Sequence, residues 1–138
     1  MKSPVRNIIL TATAVVVLTG LISAGYPQQQ SVKWLVPAEY KNMKNPVKAS
    51  PESVEMGSML YKKYCISCHG KAGLGDGTKA RSLNSSPSDF SSSVYQNQTD
   101  GEQFYKSKTG RNDMPAFDKN IADEDIWNLV NYMRTFKK

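Results

Sequence analysis

Histidine and cysteine are almost missing from this chain: its 138 residues hold one His and two Cys, and all three fall within five consecutive positions. A structural zinc site normally takes four nitrogen or sulfur ligands, so the chain cannot build one by itself. With no further Cys there is also no disulfide framework to hold a fold together. Acidic residues are absent before Glu39, and long apolar runs are confined to one stretch, Ile8 to Ala24. No segment alternates apolar and polar residues as a half-buried strand would. The charge balance is mildly basic, 18 Lys plus Arg against 12 Asp plus Glu for a net +6. Nucleic-acid recognition calls for a clustered basic face or a known module; neither is present, so nucleic acid is not expected as a partner.

What is present sorts into three parts. Lys2 and Arg6, the apolar run and the small residues Ser23, Ala24 and Gly25 read as an export signal. The run of 17 residues exceeds the usual signal core of about 7 to 15 and only just reaches the ~17 to 25 that span a bilayer. Residues 1–25 are therefore expected as a signal peptide cut near Gly25 or as a retained N-terminal membrane anchor. Either places the remainder in an exported, periplasmic setting, soluble or tethered to the membrane. No Cys ends the run, which excludes a lipoprotein anchor. Residues 26–50 carry Gln28-Gln29-Gln30, three Pro and four Lys without apolar periodicity, and read as a linker or extended arm. Trp34, Leu35 and Val36 are its only apolar cluster, either laid on the domain surface or part of a solvated tether. Residues 51–138 are expected as the folded domain.

Cys65-Ile66-Ser67-Cys68-His69 carries the chemistry. In an exported chain this spacing is the attachment site of a c-type haem. On a helical turn, residues three and four apart share a face, so Cys65 and Cys68 can each form a thioether to one haem vinyl group while His69 presents a nitrogen to the iron. A thioredoxin-like pair would need a βαβ pattern around it, and a structural disulfide would leave His69 unexplained.

Helix signals surround the motif. Ser50 as N-cap, Pro51 at the first helical position and Glu52 in the first turn predict a helix running into it. Val54, Gly57, Leu60, Tyr61 and Tyr64 sit at helical spacing along it. Gly57 either marks the close approach of another backbone or merely weakens the helix. Four Gly between Gly70 and Gly77 predict a loop turning round the edge of a flat ring; no Gly-Lys-Ser/Thr follows, so this is not a phosphate loop. Ser82 to Ser93 reads as further loop, Gly101 to Ser107 as a short helix, and Gly101 itself as surface. The last helix opens on Asp123, Glu124 and Asp125 and has Lys137 and Lys138 at its end, as the helix dipole favours. Ile126, Leu129, Val130 and Met133 form its apolar stripe. The expected product is an all-α domain of three to five short helices around one covalent haem.

A lone His cannot ligate both faces of one iron, which leaves methionine for the sixth position. Met1 is in the leader and Met43 in the arm, Met56 and Met59 share a helix with the motif, and Met133 belongs to the apolar stripe. Met114 lies in the loop Thr109-Gly110-Arg111-Asn112-Asp113-Met114-Pro115, far enough from His69 to reach the opposite face; the alternative is an ordinary surface or core Met.

Together these residues resemble the class I cytochromes c. The resemblance covers roughly 52–138: Gly57 and Tyr61 ahead of the motif, the Gly70 to Gly77 loop, Ser88-Asp89-Phe90, Thr109-Gly110-Arg111 with Met114-Pro115, and Tyr132 to Phe136. It implies the cytochrome c fold, axial ligation by His69 and Met114, and crossed first and last helices with Gly57 and Tyr61 near Leu129 and Tyr132. Relatives often place Pro after the Gly-Asp-Gly loop where this chain has Thr78, which leaves open the carbonyl that orients the second nitrogen of His69.

The expected function is single-electron transfer with redox proteins as partners, and no small-molecule substrate or enzymatic reaction. Lys62, Lys63, Lys71, Lys79, Arg81, Lys106, Lys108 and Arg111 either steer partners with acidic docking surfaces or are scattered solvated charges. Two other readings stand beside it: a tightly bound cytochrome subunit of a larger membrane oxidoreductase complex, and a haem peroxidase or gas-binding protein, which would need Met114 off the iron.

Overall fold

Ser50 caps the longest helix as its chemistry dictates, its hydroxyl accepting the Ser53 N–H at 3.2 Å with Pro51 at the first helical position. The computed structural model describes residues 33–138; the expected leader and the start of the arm lie outside the described residues. The helices are α1 (Ala38–Lys41), α2 (Pro51–Tyr64), α3 (Ile66–His69), α4 (Ser93–Gln96), α5 (Asp100–Thr109) and α6 (Asp123–Arg134), with a 3-10 turn at Ala80–Ser82. Three of them, α2, α5 and α6, are 10 residues or longer, and the other three are single turns of 4 residues. No strand occurs among the described residues beyond one isolated bridge, Arg111 to Met114. The described residues form an all-α fold, as their periodicity predicts.

The first and last long helices cross at Gly57. A Cβ there would run into the Asn128 carbonyl and stand 2.7 Å from the Tyr132 Cβ, so only hydrogen fits, and the backbone approach inferred from the sequence is present. The residues beneath the crossing are Asn128 and Tyr132; Leu129, expected there, is buried in the core beside them. Below the crossing the core is aromatic. Tyr61 lies 5.3 Å from both Tyr132 and Phe136 by ring centroids, and Phe104 stacks on Trp127 at 4.0 Å and 12°.

Above the crossing a polar ladder sets the register. Ser53 donates to the Asn128 side-chain oxygen at 2.6 Å, and Asn131 donates to Ser53 at 2.8 Å and to the Val47 carbonyl at 3.1 Å. Asn45 donates to the Asn131 side-chain oxygen at 2.8 Å and to the Trp127 carbonyl at 3.1 Å. Buried polar groups that left these partners would each go unsatisfied, so the segment before α2 is held to α6.

The segment preceding α2 is thus built into the structure: one compact unit spans Trp34–Lys138. Val36 is buried, whereas Leu35 is exposed. Tyr40 of α1 packs on Tyr105 of α5 at 4.7 Å, and its carbonyl sits where a Cβ on Gly101 would be. Gly101, expected at the surface, is buried under α1. The helix that holds it also starts earlier, at Asp100, where Thr99 and Glu102 form a reciprocal capping box at 3.1 and 2.9 Å. Arg134 at the end of α6 ties this region together through Asp100 at 2.6 Å and the carbonyls of Gln96 and Gln98, both at 2.7 Å.

Candidate functional site

Helix α2 runs almost without interruption into α3. The Cys65 N–H bonds the Tyr61 carbonyl at 2.9 Å, and the Cys65 carbonyl accepts from Cys68 at 3.1 Å and His69 at 2.9 Å. Cys65, Cys68 and His69 therefore share one turn, as their spacing requires. Both cysteines are free; Cys65 is buried and Cys68 half-buried. Burial, and then the neighbouring Cys68, push the Cys65 thiol up to about 12, which keeps it a neutral thiol rather than a thiolate at ordinary pH.

His69 is held on two sides. Its ring stacks on Phe90 with centroids 4.3 Å apart and planes at 22°. Its Nδ1 lies 3.3 Å from the Ser88 carbonyl, and since a carbonyl only accepts, Nδ1 carries the proton. Burial lowers the pKa of the imidazole, opposed by that carbonyl, so the ring is biased to its neutral form with the lone pair on Nε2. No hydrogen bond is made by Nε2 among the described residues. The second nitrogen, which the Thr78 departure left open, is thus oriented by Ser88, a residue the sequence signals only through its place in Ser88-Asp89-Phe90. Such outer partners fix the orientation and basicity of a ligating His.

The glycine loop closes back on this turn. The carbonyls of Ser67, Cys68 and His69 accept from Lys79 at 2.8 Å, Gly77 at 3.1 Å and Gly75 at 2.9 Å. Gly77 passes so close to α3 that a Cβ would lie 2.6 Å from the Cys68 carbonyl carbon. These bonds satisfy the end of a helix too short to satisfy itself. Tyr61 completes the frame, donating to the Gly70 carbonyl at 2.7 Å.

Met114 comes from the loop between α5 and α6. Its backbone exchanges two hydrogen bonds with Arg111, at 2.8 and 3.0 Å, closing a tight turn with Asn112 at φ 53°. Asp113 fastens this turn to the 84–85 segment by accepting the Asn84 N–H at 2.9 Å, the Asn84 side-chain amide at 3.0 Å and the Ser85 N–H at 3.3 Å. Met114 is half-buried and packs against the core that includes Cys65. The other described methionines are placed differently: Met43, Met56 and Met59 are exposed, and buried Met133 accepts from the Tyr95 hydroxyl at 3.1 Å. Of the basic residues, Lys62, Lys63, Lys71, Lys79 and Arg81 are exposed. Lys108 pairs with Asp123 at 2.7 Å, and Lys106 bonds Gln98 at 2.5 Å.

Two free thiols and a neutral imidazole with an uncommitted nitrogen on one turn fit the needs of a haem, and Met114 offers a thioether on a separate anchored turn. A helical shell carrying that turn defines a c-type cytochrome of class I. Residues 52–133 match the family model described as cytochrome c oxidase, cbb3-type, subunit III, and the chain belongs to that family. Haem is accordingly its cofactor.

Among solved structures, a chain of the Kuenenia stuttgartiensis reducing HAO-like protein complex Kustc0457/Kustc0458 is similar at 26% identity with a TM-score of 0.62, covering 67% of this chain and 47% of that one. This chain thus spans about half the length of that relative. The KustC0563 c-type cytochrome is similar at 27% identity with a TM-score of 0.51, covering 59% of this chain and 98% of that one. No curated protein matches.

Proposed function

We propose that the protein is an exported single-electron carrier holding one haem through Cys65 and Cys68, with His69 and Met114 as axial ligands. The haem supplies an iron that changes oxidation state by one electron. The chain's own residues do the rest. Cys65 and Cys68 fix the cofactor by thioether bonds, and the Ser88 carbonyl and the Phe90 ring hold His69 with Nε2 left for the iron. The Arg111–Met114 turn, fastened by Asp113, offers a soft sulfur, and Met/His ligation raises the potential. With both axial positions taken, no site is left for a substrate, so the protein transfers electrons rather than converting a small molecule.

The observation that carries this reading is the commitment of His69 Nδ1 to Ser88, which leaves one nitrogen for iron. Electrons pass to and from other redox proteins, and the exposed Lys62, Lys63, Lys71, Lys79 and Arg81 raise encounter rates with acidic partners. Residues 1–25 direct export and either leave with the signal or remain as a membrane anchor. No helix among the described residues is long and apolar enough to cross a membrane. A second reading, a permanently bound cytochrome subunit of a larger membrane complex, is favoured by the oxidase-subunit description of the family.

Spectroelectrochemical titration of the purified haem-loaded chain tests the function. A single reversible one-electron wave, with ferrous protein that leaves carbon monoxide unbound, supports a carrier. Ready carbon monoxide binding would instead indicate an open position and a peroxidase or gas-binding role. Migration with membrane proteins after mild detergent extraction separates a complex subunit from a free shuttle.

A further inference from the structure

The segment before α2 runs antiparallel along α5: Tyr40 packs at Gly101 and Tyr105, and Trp34 reaches the far end, where Lys106 and Arg111 lie over its ring. The Arg111 guanidinium carbon is 4.6 Å and the Lys106 ammonium 5.8 Å from the ring centroid. Both distances fall within the reach of a cation–π contact. Arg111 is also the residue whose backbone exchanges both hydrogen bonds with Met114. On the other flank, Asp113 already fastens the turn to Asn84 and Ser85. Among the described residues the turn therefore has a side-chain anchor on each side of Asn112, and the first rests on a residue seventy-seven positions earlier in the chain.

We propose that Trp34 is a positioning residue for the sixth ligand: by stacking on Arg111 it holds the Arg111–Met114 turn closed and resists displacement of the Met114 sulfur. This inference rests on the reading of Met114 as the sixth ligand. The segment before α2 thereby acts as a strap on the ligand loop. An exposed cation–π contact changes the opening equilibrium of such a turn about two- to fivefold.

Imidazole added to the ferric, haem-loaded full chain reads that equilibrium, because it binds only when the sulfur has left. Trp34→Ala should bind imidazole about two- to fivefold more tightly than the parent, while Trp34→Phe, which keeps a ring face, should stay closer to it. Arg111→Gln should give a similar gain that does not add to that of Trp34→Ala, and it carries the test if Trp34→Ala fails to fold. In a Met114→Ala background, Trp34→Ala should change nothing, since no sulfur remains to be displaced. Parental affinity in Trp34→Ala, or an equal change in both backgrounds, would overturn the proposal. Failure of the underlying ligand reading shows separately, as a sulfur-to-iron charge-transfer band that survives Met114→Ala on its own.

Discussion

The hydroxyl of Tyr61 donates to the carbonyl of Gly70 at 2.7 Å, joining the last turn of α2 to the residue that follows His69. Burial raises the Tyr61 pKa, so the phenol stays protonated and remains a donor throughout the ordinary pH range. The bond ties the Cys65–His69 turn to the aromatic core formed by Tyr132, Phe136 and Phe90.

Removing that donor isolates its contribution. In Tyr61→Phe the Gly70 carbonyl keeps one longer bond, from Gly73 at 3.3 Å, so the cost should lie near the net worth of a single hydrogen bond, about 1 kcal/mol. Chemical denaturation of the haem-loaded protein should show a lower midpoint with an unchanged slope. A midpoint equal to the parent's would mean that the bond contributes nothing to stability.

The helix crossing gives a second prediction. Gly57→Val forces a side chain into the Asn128 carbonyl, and Gly101→Val forces one into the Tyr40 carbonyl. Each should cost about 1 to 3 kcal/mol by overpacking, a large share of a total of ~5 to 15. Val94→Thr, at a position 81% exposed, should stay within about 0.5 kcal/mol of the parent. Thermal melts in which the three variants coincide would remove the packing argument at both glycines.

These two glycines also show how far the sequence can be read. Gly57 stands on a strongly periodic helix ahead of a diagnostic motif, so its need for a close neighbour was legible. The identity of the neighbour was not, because periodicity cannot choose between Asn128 and Leu129 one step round the same helix. Gly101 reads as surface from the sequence and is buried in the structure. The signal that its helix begins earlier, Thr99 followed three residues later by Glu102, is a capping-box pattern present in the sequence. Its burial under Tyr40 was not readable, because it depends on a short helix in a segment with no apolar period. The ladder from Asn45 to Asn131 and the Ser88 carbonyl against His69 are pairings over 86 and 19 positions; local pattern does not show the first at all and marks Ser88 without naming its partner. The candidate haem residues are the ones local pattern singles out, three in one motif and Met114 on a glycine–proline loop; their role toward the haem is the proposal.

Methionine ligation yields a third prediction. Met114→Ala should abolish the near-infrared sulfur-to-iron charge-transfer band of the ferric protein, give a high-spin or water-bound form, and lower the potential, because a thioether favours the ferrous state. Met133→Leu should keep the band, since the Met133 sulfur is engaged by Tyr95 inside the core. Loss of the band in Met133→Leu but not in Met114→Ala would reverse the assignment.

Covalent attachment at Cys65 and Cys68 is the central proposal, and haem retention in a denaturing gel measures it most directly. The full chain, produced with a c-type maturation system, should keep its haem through denaturation, each single Cys→Ala variant should retain less, and the double variant Cys65→Ala with Cys68→Ala should retain none. Haem that stays with the double variant, or that leaves the parent chain on denaturation, would contradict the account.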